Sequence, residues 1–280
     1  KSCPALSAAK SYTYSPSSIK KAGVEELIEK DGRLVAALTV NGDRYEADWF
    51  ISDTHPAVTV DLVKESSKIK KVFRRRIHSL ANTYGMYTVS LIIKPDTLKY
   101  FNWNQYIYKK PNVWTYYLDN EPVSGILVCC RVPEDGSPYT RYVDIVTPMP
   151  WEKVAQWEGT KVGQRGEAYR AFKEIKADEC IALAETFIPG LRDMVESRFS
   201  STPLTYRDYT ATPEGSAYGV RKDWHSPMMT LLTPKTPIPN LLLTGQSLTL
   251  HGLLGVSMTS LFTCAEILGK EAVYAITKTE

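Results

Sequence analysis

Three glycines between a short apolar run and a helix-like segment form the part of the sequence best suited to bind a charged group. Leu241–Leu243 has the composition of a buried strand, and Met258–Gly269 repeats apolar residues at helical spacing before a terminal glycine. Between them lie Gly245, Gly252 and Gly255. Such a turn gathers unpaired backbone N–H groups at the positive end of a helix dipole, which suits a phosphate or the electron-rich edge of a flavin ring. The alternative is a plain strand-to-helix connection in which the glycines only make turns.

Catalytic side chains are not recognisable from spacing. None of the four histidines has a partner at the spacing of a metal site or a catalytic triad, and neither Gly-x-Ser-x-Gly nor His-Glu-x-x-His occurs. The histidines are His55, His78, His225 and His251. We therefore expect no bound metal and leave the catalytic residues unassigned. This inventory fits an enzyme whose chemistry belongs to a cofactor.

Motifs near both ends of the chain resemble one family of flavoenzymes. Towards the end, the family pattern is matched in order by Ser201–Gly219, Thr236–Leu241, the Thr244-Gly-Gln-Ser turn and Gly252–Val256. Near the start, it is matched by Val24–Gly42 and Tyr45–Pro56. This series resembles the FAD-dependent phytoene desaturase, carotenoid isomerase and retinol saturase family, a branch of the flavin amine-oxidase-like enzymes.

The resemblance implies FAD as the cofactor and a chain that is the C-terminal part of a longer flavoprotein. In the family, the FAD pyrophosphate is held by a Gly-x-Gly-x-x-Gly fingerprint after an N-terminal strand, and no such fingerprint follows a strand in these 280 residues. We therefore expect the chain by itself to bind FAD weakly or not at all.

The resemblance also implies which residues face the cofactor and which face the substrate. Cofactor contacts are expected from Val24, Ser52, Gly245, Gln246, Gly252, Leu254, Gly255 and Val256. Substrate-side positions are expected for Tyr206, Tyr209, Tyr218 and His251. A structural role is the alternative for His251.

The implied reaction is the desaturation, saturation or isomerisation of a polyene lipid of the carotenoid or retinoid type, with hydride passing to or from flavin N5. The implied ligand is an apolar small molecule. An alternative from another class is a non-catalytic module that binds an apolar ligand or acts as a scaffold without flavin. The sequence gives neither the substrate nor the oligomeric state.

The order of elements predicts a mixed α+β and α/β fold in two interleaved lobes. Residues 1–62 and 206–280 are expected to form a discontinuous FAD-binding lobe that lacks its Rossmann fingerprint. Residues 63–205 are expected to form a substrate domain with an antiparallel sheet and helices. Trp49–Ile51 and Leu241–Leu243 are both short apolar runs, and we expect them to be neighbours in one buried sheet.

Periodicity and turn residues predict the individual elements. Strands are expected at 24–28, 34–40, 44–47, 49–51, 86–93, 106–108, 114–118, 125–132, 139–146 and 241–243. Helices are expected at 56–80, 151–158, 166–187 and 191–199, and the last helix is expected to have an apolar face of Met258, Leu261, Phe262, Ala265 and Leu268. The many aromatic residues of the middle segment suit a wall that buries a long apolar ligand, although packing into the sheet's own core is the simpler role for most of them.

The charge distribution limits the partners. The net charge is +3, from 34 basic and 31 acidic residues, and no run of eighteen apolar residues occurs. The basic run Lys68–Arg76 is expected to be a solvated helical face, and contact with an anionic membrane surface is the sharper alternative. Nucleic acid is not expected, because the run lacks the interleaved aromatic residues that stack on bases.

The five cysteines show no metal-ligand spacing, which favours a reducing compartment and a cytoplasmic location, with membrane association as an open alternative. Cys129 and Cys130 are adjacent in a strand-like run and should point to opposite faces. Packing is therefore the expected role of both thiols.

Overall fold

The computed structural model describes residues 19–118 and 121–278. These fall into two compact units: the first contains the described parts of 1–81 and 220–280, and the second contains those of 82–219. The architecture is mixed α/β with antiparallel sheets, as expected. The unit boundaries differ from those predicted at 62/63 and 205/206, and the assignment of cofactor and substrate roles to the lobes stays a prediction.

The N-terminal part of the first unit is a three-stranded antiparallel meander followed by one more strand and two helices. The meander consists of β1 (Val24–Lys30), β2 (Arg33–Thr39) and β3 (Arg44–Glu46), and β4 (Phe50–Ser52) follows. The helices are α1 (Pro56–Leu62) and α2 (Lys71–His78). The single helix predicted for 56–80 is wrong, because residues 63–70 leave the helix and Ser67 donates to the Glu29 carboxylate from its backbone N–H at 2.9 Å.

The second unit is built on a five-stranded antiparallel sheet. Its elements in chain order are β5 (Gly85–Ile93), β6 (Gln105–Tyr108), β7 (Gly125–Cys130), β8 (Tyr142–Met149), α3 (Gly166–Ala184), α4 (Leu191–Met194), β9 (Val195–Ser201) and α5 (Pro203–Thr210). The strand order is β6-β7-β8-β5-β9. Helix α3 covers one face, where Ala177, Cys180 and Ile181 join the buried side chains of β5 and β8 in one core.

Three predicted elements of this unit are wrong. Residues 114–118 end in a 3-10 turn (Tyr116–Leu118) instead of forming a strand, and residues 151–158 form two 3-10 turns instead of a helix. Residues 191–199 were expected to be helical, but the chain becomes strand β9 from Val195 and pairs with β5. Arg198 helps to hold that strand against α3, because its guanidinium donates to Asp178 at 2.7 Å.

The chain then returns to the first unit. It forms α6 (Pro227–Thr230), β10 (Leu241–Leu243), α7 (Gly252–Leu268) and α8 (Lys270–Thr277). Strand β10 is fully buried and pairs in parallel with β4, with Leu241 opposite Phe50 and Leu243 opposite Ser52. The predicted pairing of these two apolar runs is confirmed.

Helix α7 does not bury the predicted face. It begins at Gly252, and its buried residues are Gly255, Thr259 and Thr263, while Phe262 is 47 % exposed. The small residues let the helix approach the strand closely, and the Thr263 hydroxyl donates to the Leu243 carbonyl at 3.0 Å. The apolar side chains counted from periodicity therefore lie mainly on the outer side of the helix or at its margins.

One buried amide connects the two sheets of the first unit. Asn240 is 1 % exposed. Its side-chain amide accepts from the Leu34 N–H and donates to the carbonyls of Leu34 and Asp48, all at 2.9 Å. The Asn240 carbonyl also accepts from the Phe50 N–H at 2.9 Å. The residue that precedes β10 thus sets the positions of both β2 and β4.

Replacing Asn240 should destabilise the first unit. Asn240→Ala leaves buried groups of Leu34 and Asp48 without partners, and we expect a loss of about 3 kcal/mol in the free energy of unfolding. The measurement is urea unfolding followed by tryptophan fluorescence. The matched control is Asn41→Ala, whose amide makes one exposed hydrogen bond to Lys21, and a change within about 0.5 kcal/mol is expected there. Equal stability of the two variants would contradict the role given to Asn240.

Candidate functional site

The carboxyl ends of β4 and β10 lie side by side, because the two strands are parallel. The Thr244 N–H donates to the Ser52 carbonyl at 2.9 Å and continues the pairing by one residue. Each strand then turns towards a helix, α1 after β4 and α7 after β10. In open α/β sheets, ligands bind in the crevice outside the carboxyl ends of such strands. This edge is the candidate cofactor site of the first unit.

Three hydroxyl groups gather at the end of β4. Ser52 Oγ lies 2.6 Å from Thr59 Oγ1 and 3.0 Å from Thr54 Oγ1, and the two threonine hydroxyls are 2.9 Å apart. Thr59 is fully buried in α1, so it anchors the other two. A cluster of hydroxyls can rotate its protons to donate to whichever acceptor is present.

Gly245 and Asp53 meet where the two turns face each other. Gly245 has φ +87°, and a Cβ added there would collide with Asp53 Oδ1. Partial burial raises the pKa of the Asp53 carboxyl. Among the described residues, the Gly245 N–H has no hydrogen-bond acceptor. The turn after β10 is therefore restricted to glycine by backbone geometry and by its neighbour on β4, and it keeps a backbone donor available.

A lysine is hydrogen-bonded to the peptide groups that follow this turn. The Lys222 ammonium donates to three carbonyls, those of Thr230, Ser247 and Leu248, at 3.0, 2.6 and 3.0 Å. Burial lowers the pKa of Lys222 to about 8, while the carbonyl contacts favour the charged form. Lys222 thus fixes the peptide groups that follow Gly245, and neither its partners nor its burial is visible in the local sequence.

The expected cofactor residues occupy different surroundings in the first unit. Ser52, Gly245 and Gln246 are at the paired turns, and Gly252 begins α7 with no heavy atom within 4 Å of an added Cβ. Leu254 is 74 % exposed, Val256 is half-buried, and Val24 is an exposed residue at the start of β1. His251 is exposed at the N-cap of α7 and makes no side-chain cap bond.

Close packing restricts position 255 to glycine. A Cβ there would lie 2.6 Å from the Leu250 carbonyl carbon and 2.7 Å from its oxygen, so α7 and the preceding turn touch through the glycine. The physical reason for glycine at this position is the approach of two backbone segments. A direct contact with a cofactor is not needed to explain it.

The donor set at this edge fits the polar part of a dinucleotide cofactor. Hydroxyls of Ser52 and Thr54 and the Gly245 N–H offer donors at the strand ends, and the 17-residue helix α7 follows the same turn and begins at Gly252. The open space beside Gly252 leaves room next to the helix start. Asp53 is the one acidic group in these turns, and partial burial raises the pKa of its carboxyl.

The second unit carries a cluster of half-buried tyrosines. The ring centroid of Tyr84 is 4.8 Å from that of Tyr117 and 6.4 Å from that of Tyr218. The ring centroids of Tyr108 and Tyr116 are 5.0 Å apart. Burial raises the pKa of Tyr84, Tyr116 and Tyr218, and neighbouring phenols add to the effect. Most of the aromatic side chains in this region are therefore outside the core, contrary to the simpler expectation.

This cluster adjoins the face of the sheet that α3 leaves uncovered. Antiparallel partners share a face, so Tyr106, Leu127, Val146, Thr88 and Ser201 form one row across all five strands. Tyr206 of α5 reaches the row through a 3.4 Å contact between its hydroxyl and Thr88 Oγ1. Gly125 gives the ring of Tyr116 space against β7, since a Cβ there would lie 2.5 Å from the ring. The result is a surface of mixed apolar and polar side chains edged with phenol groups.

The three tyrosines predicted on the substrate side are all in the second unit, but in different places. Tyr206 and Tyr218 adjoin the aromatic surface, whereas Tyr209 is 77 % exposed and lines a separate cavity. Tyr84, Tyr116 and Tyr117 were missed, and the only available signal was the adjacent pair Tyr116-Tyr117 in an aromatic stretch.

Neither thiol nor metal chemistry is supported in the described residues. Burial raises the pKa of Cys129, and that of Cys130 to about 11, so both thiols stay protonated near neutral pH. No group of three or more metal-ligating side chains occurs within residues 19–118 and 121–278. In the same part of the chain, no helix is long and apolar enough to cross a membrane.

Comparison with known proteins gives partial matches. No protein-family model matches the chain. The all-trans-retinol 13,14-reductase of Homo sapiens is 32 % identical over 145 residues, which is 51 % of this chain and 24 % of the relative. Prolycopene isomerase 1 of an Oncidium hybrid cultivar is 26 % identical over 212 residues, or 71 % of this chain and 33 % of the relative. The matches thus span a quarter to a third of these relatives.

A solved oxidoreductase from Methanosarcina mazei aligns with 91 % of this chain and 48 % of its own, at 12 % identity and a TM-score of 0.49. The sequence matches are to proteins named for reactions on retinoids and carotenoids. Over the part of the sequence that they cover, the chain is similar to retinol reductases and prolycopene isomerases.

Replacing Gly255 should lower the stability of the folded chain. Gly255→Ala improves helix propensity by about 1 kcal/mol, but the new Cβ meets Leu250 backbone atoms that cannot rotate away, so we expect net destabilisation. Thermal unfolding of the 280-residue chain without cofactor measures it. Ser257→Ala, an exposed change in the same helix, is the control and should leave the melting temperature unchanged. A more stable Gly255→Ala variant would refute the packing role.

Proposed function

We propose that this chain forms part of an FAD-dependent oxidoreductase that desaturates, saturates or isomerises a polyene lipid of the carotenoid or retinoid type. The observation that carries the proposal is the pair of parallel strand ends with a glycine turn, hydroxyl donors and a helix start. The names of the relatives, a retinol reductase and a prolycopene isomerase, supply the substrate class.

The open edge of the small parallel sheet supports a larger protein. Parallel sheets in α/β proteins are buried on both faces and contain several strands. Here the described residues supply only β4 and β10, and Ile51 in β4 is 52 % exposed. Further strands, outside the described residues, would complete a doubly wound sheet and bring the pyrophosphate cradle that the resemblance implies.

Within this proposal, each group has a definite task. FAD, when bound, supplies the hydride acceptor or donor. The Gly245 N–H and the hydroxyls of Ser52 and Thr54 bind its polar part, and Lys222 keeps the turn in place. In the second unit, the aromatic surface around Tyr84 and Tyr218 excludes water from an apolar chain. Its phenols are protonated near neutral pH, since their ordinary pKa is about 10 and burial raises the pKa of Tyr84 and Tyr218 further, so they add no charge beside the polyene.

A side chain at Gly252 should interfere with flavin binding. Gly252→Asn places atoms in the open space at the start of α7, and asparagine accepts the positive φ of +77° better than most residues. We expect the flavin content of the purified, cofactor-containing protein to fall, with a loss of about tenfold in FAD affinity. Flavin absorbance and FAD released on heating are the measurements.

Gly42→Asn is the matched control, since Gly42 also has positive φ and no heavy atom within 4 Å of an added Cβ, but lies in the turn between β2 and β3. It should keep its flavin. Unchanged flavin in Gly252→Asn would remove α7 from the cofactor site. A longer protein that carries this chain together with the FAD fingerprint and still contains no flavin, even when supplied with FAD, would favour the non-catalytic binding or scaffolding function.

We also propose that the basic run contacts an anionic membrane, which holds the apolar substrate. Residues 64–76 contain seven lysines and arginines and one glutamate, a formal charge of +6, twice that of the whole chain. Arg74 is committed to the fold, because its guanidinium donates to the carbonyls of Val60 and Val63 at the end of α1. Lys70, Lys71, Arg75 and Arg76 are exposed, and none has an ion pair among the described residues.

Vesicle binding tests this contact. Each lysine or arginine near an anionic bilayer contributes about 1 kcal/mol, so Lys71→Gln combined with Arg75→Gln and Arg76→Gln should weaken binding by about 3 kcal/mol, or roughly a hundredfold. Co-sedimentation with phosphatidylserine-containing vesicles gives the affinity. Binding of the unaltered chain should also decrease with salt, because the screening length shortens to about 8 Å at physiological ionic strength.

The control removes three exposed lysines elsewhere in the first unit, Lys20, Lys30 and Lys270, and should change the affinity much less. Binding that is equally strong to neutral vesicles, or indifferent to salt, would return Lys68–Arg76 to the role of a solvated face.

A further inference from the structure

A cavity of about 270 Å³ lies in the second unit between the start of α3 and helix α5. Its lining includes Arg165, Tyr169, Arg170, Lys173, Thr205 and Tyr209. Three of these six side chains are cationic, and the sequence gives no motif that would explain their grouping. The cavity shares no lining residue with the tyrosine cluster of the open sheet face, and the proposed function does not use it.

Two of the cations contact one aromatic ring. The Arg165 guanidinium carbon lies 5.2 Å from the centroid of Tyr169, and the Lys173 ammonium lies 5.8 Å from the same centroid. Burial lowers the pKa of Lys173; attraction to the Glu174 carboxylate opposes this shift, and repulsion from Arg165 adds to it. Lys173 has no ion pair within the described part of the chain, and Glu174 is itself paired with Arg198. The fold therefore holds two like charges near one aromatic ring, with a direct ion pair to a carboxylate for only one of them.

Arg165 has an unsatisfied donor. Its side chain is only 7 % exposed and pairs with Asp208, yet its Nε–H has no hydrogen-bond partner. A buried donor without an acceptor costs free energy, and an oxyanion beside the guanidinium would remove that cost after a small rotation. Arg170 pairs only with the exposed Glu167, at 3.1 Å, and can be shared with a ligand.

The start of α3 points to the same kind of ligand. This helix has 19 residues and begins at Gly166, and its N-cap residue Arg165 makes no side-chain cap bond. The first N–H groups of a long helix favour a negative charge. Acidic groups near the cavity are Asp208, Glu167 and Glu174; the first two are paired with arginines, and Glu174 pairs with Arg198.

We propose that this cavity is a binding site for the phosphate group of a phosphate-bearing small molecule or lipid, held by Lys173, Arg165 and Arg170. Three cations and a helix start around one space suit a tetrahedral oxyanion with several acceptor oxygens, and arginine forks match its geometry. Thr205 and the exposed phenol of Tyr209 lie in the cavity wall and would contact the remainder of the ligand.

Titration calorimetry with the 280-residue chain tests the site, using inorganic phosphate and glycerol 3-phosphate against chloride at constant ionic strength. We expect saturable binding that falls about tenfold in Lys173→Met and clearly in Arg170→Gln, a change on the surface that should not disturb folding. Lys99→Met, an exposed lysine of the same unit outside the cavity, should bind like the unaltered chain. Circular dichroism confirms that each variant is folded.

Vesicles containing phosphatidic acid distinguish the sources of the phosphate. Competition between these vesicles and glycerol 3-phosphate, lost in Lys173→Met, would identify a lipid headgroup as the ligand, whereas binding of the soluble ester alone would identify a free phosphate. The absence of binding to both probes would overturn the proposal, and so would binding that persists unchanged in both Lys173→Met and Arg170→Gln. Flavin content plays no part in these measurements, so their failure leaves the proposed function untouched.

Discussion

The hydrogen bonds of Asn240 determine the arrangement of the first unit. The buried side-chain amide of Asn240 satisfies both backbone groups of Leu34 and the carbonyl of Asp48, and the backbone carbonyl of Asn240 accepts from the Phe50 N–H. Because these partners belong to the meander and to β4, the start of β10 cannot shift without breaking all of them. The carboxyl end of β10 therefore arrives beside that of β4, and the candidate cofactor edge exists as a consequence of a contact at the opposite end of the strand.

Polar contacts also position the turn and the helix after β10. Lys222 binds the peptide carbonyls after Gly245, and Thr263 attaches α7 to Leu243. Each unit also has its own apolar core, and that of the second unit lies between its sheet and α3. Its uncovered sheet face, by contrast, is edged with tyrosines that keep part of their surface exposed. One unit thus offers fixed donors for a charged group, and the other offers an aromatic-edged surface.

The sequence predicts the features that depend on local pattern. The apolar runs at 49–51 and 241–243 lead to neighbouring paired strands, of which only β10 is fully buried, and the turns of the meander follow from Asp31-Gly32 and Asn41-Gly42. The sequence does not predict the structure where contacts with a distant segment determine it. Val195–Ser201 is a strand because β5 offers an edge, and α7 turns Thr259 and Thr263 inward because β10 needs a close helix. Asp53, Lys222 and the cationic cavity were not predicted, since their partners are remote in sequence or only meet after folding.

The first unit is discontinuous, and this gives synthesis a fixed order. Leu34 and Asn240 are 206 positions apart, so at about 5–20 residues per second the meander waits on the order of ten to forty seconds for the residue that anchors it. The second unit emerges as one continuous segment during that interval, with Thr83 and Gly219 hydrogen-bonded where its two ends meet. On the ribosome, the sheet of the inserted unit can therefore be complete while β4 still has an unpaired edge, and the three-residue length of β4 limits its pairing with wrong partners.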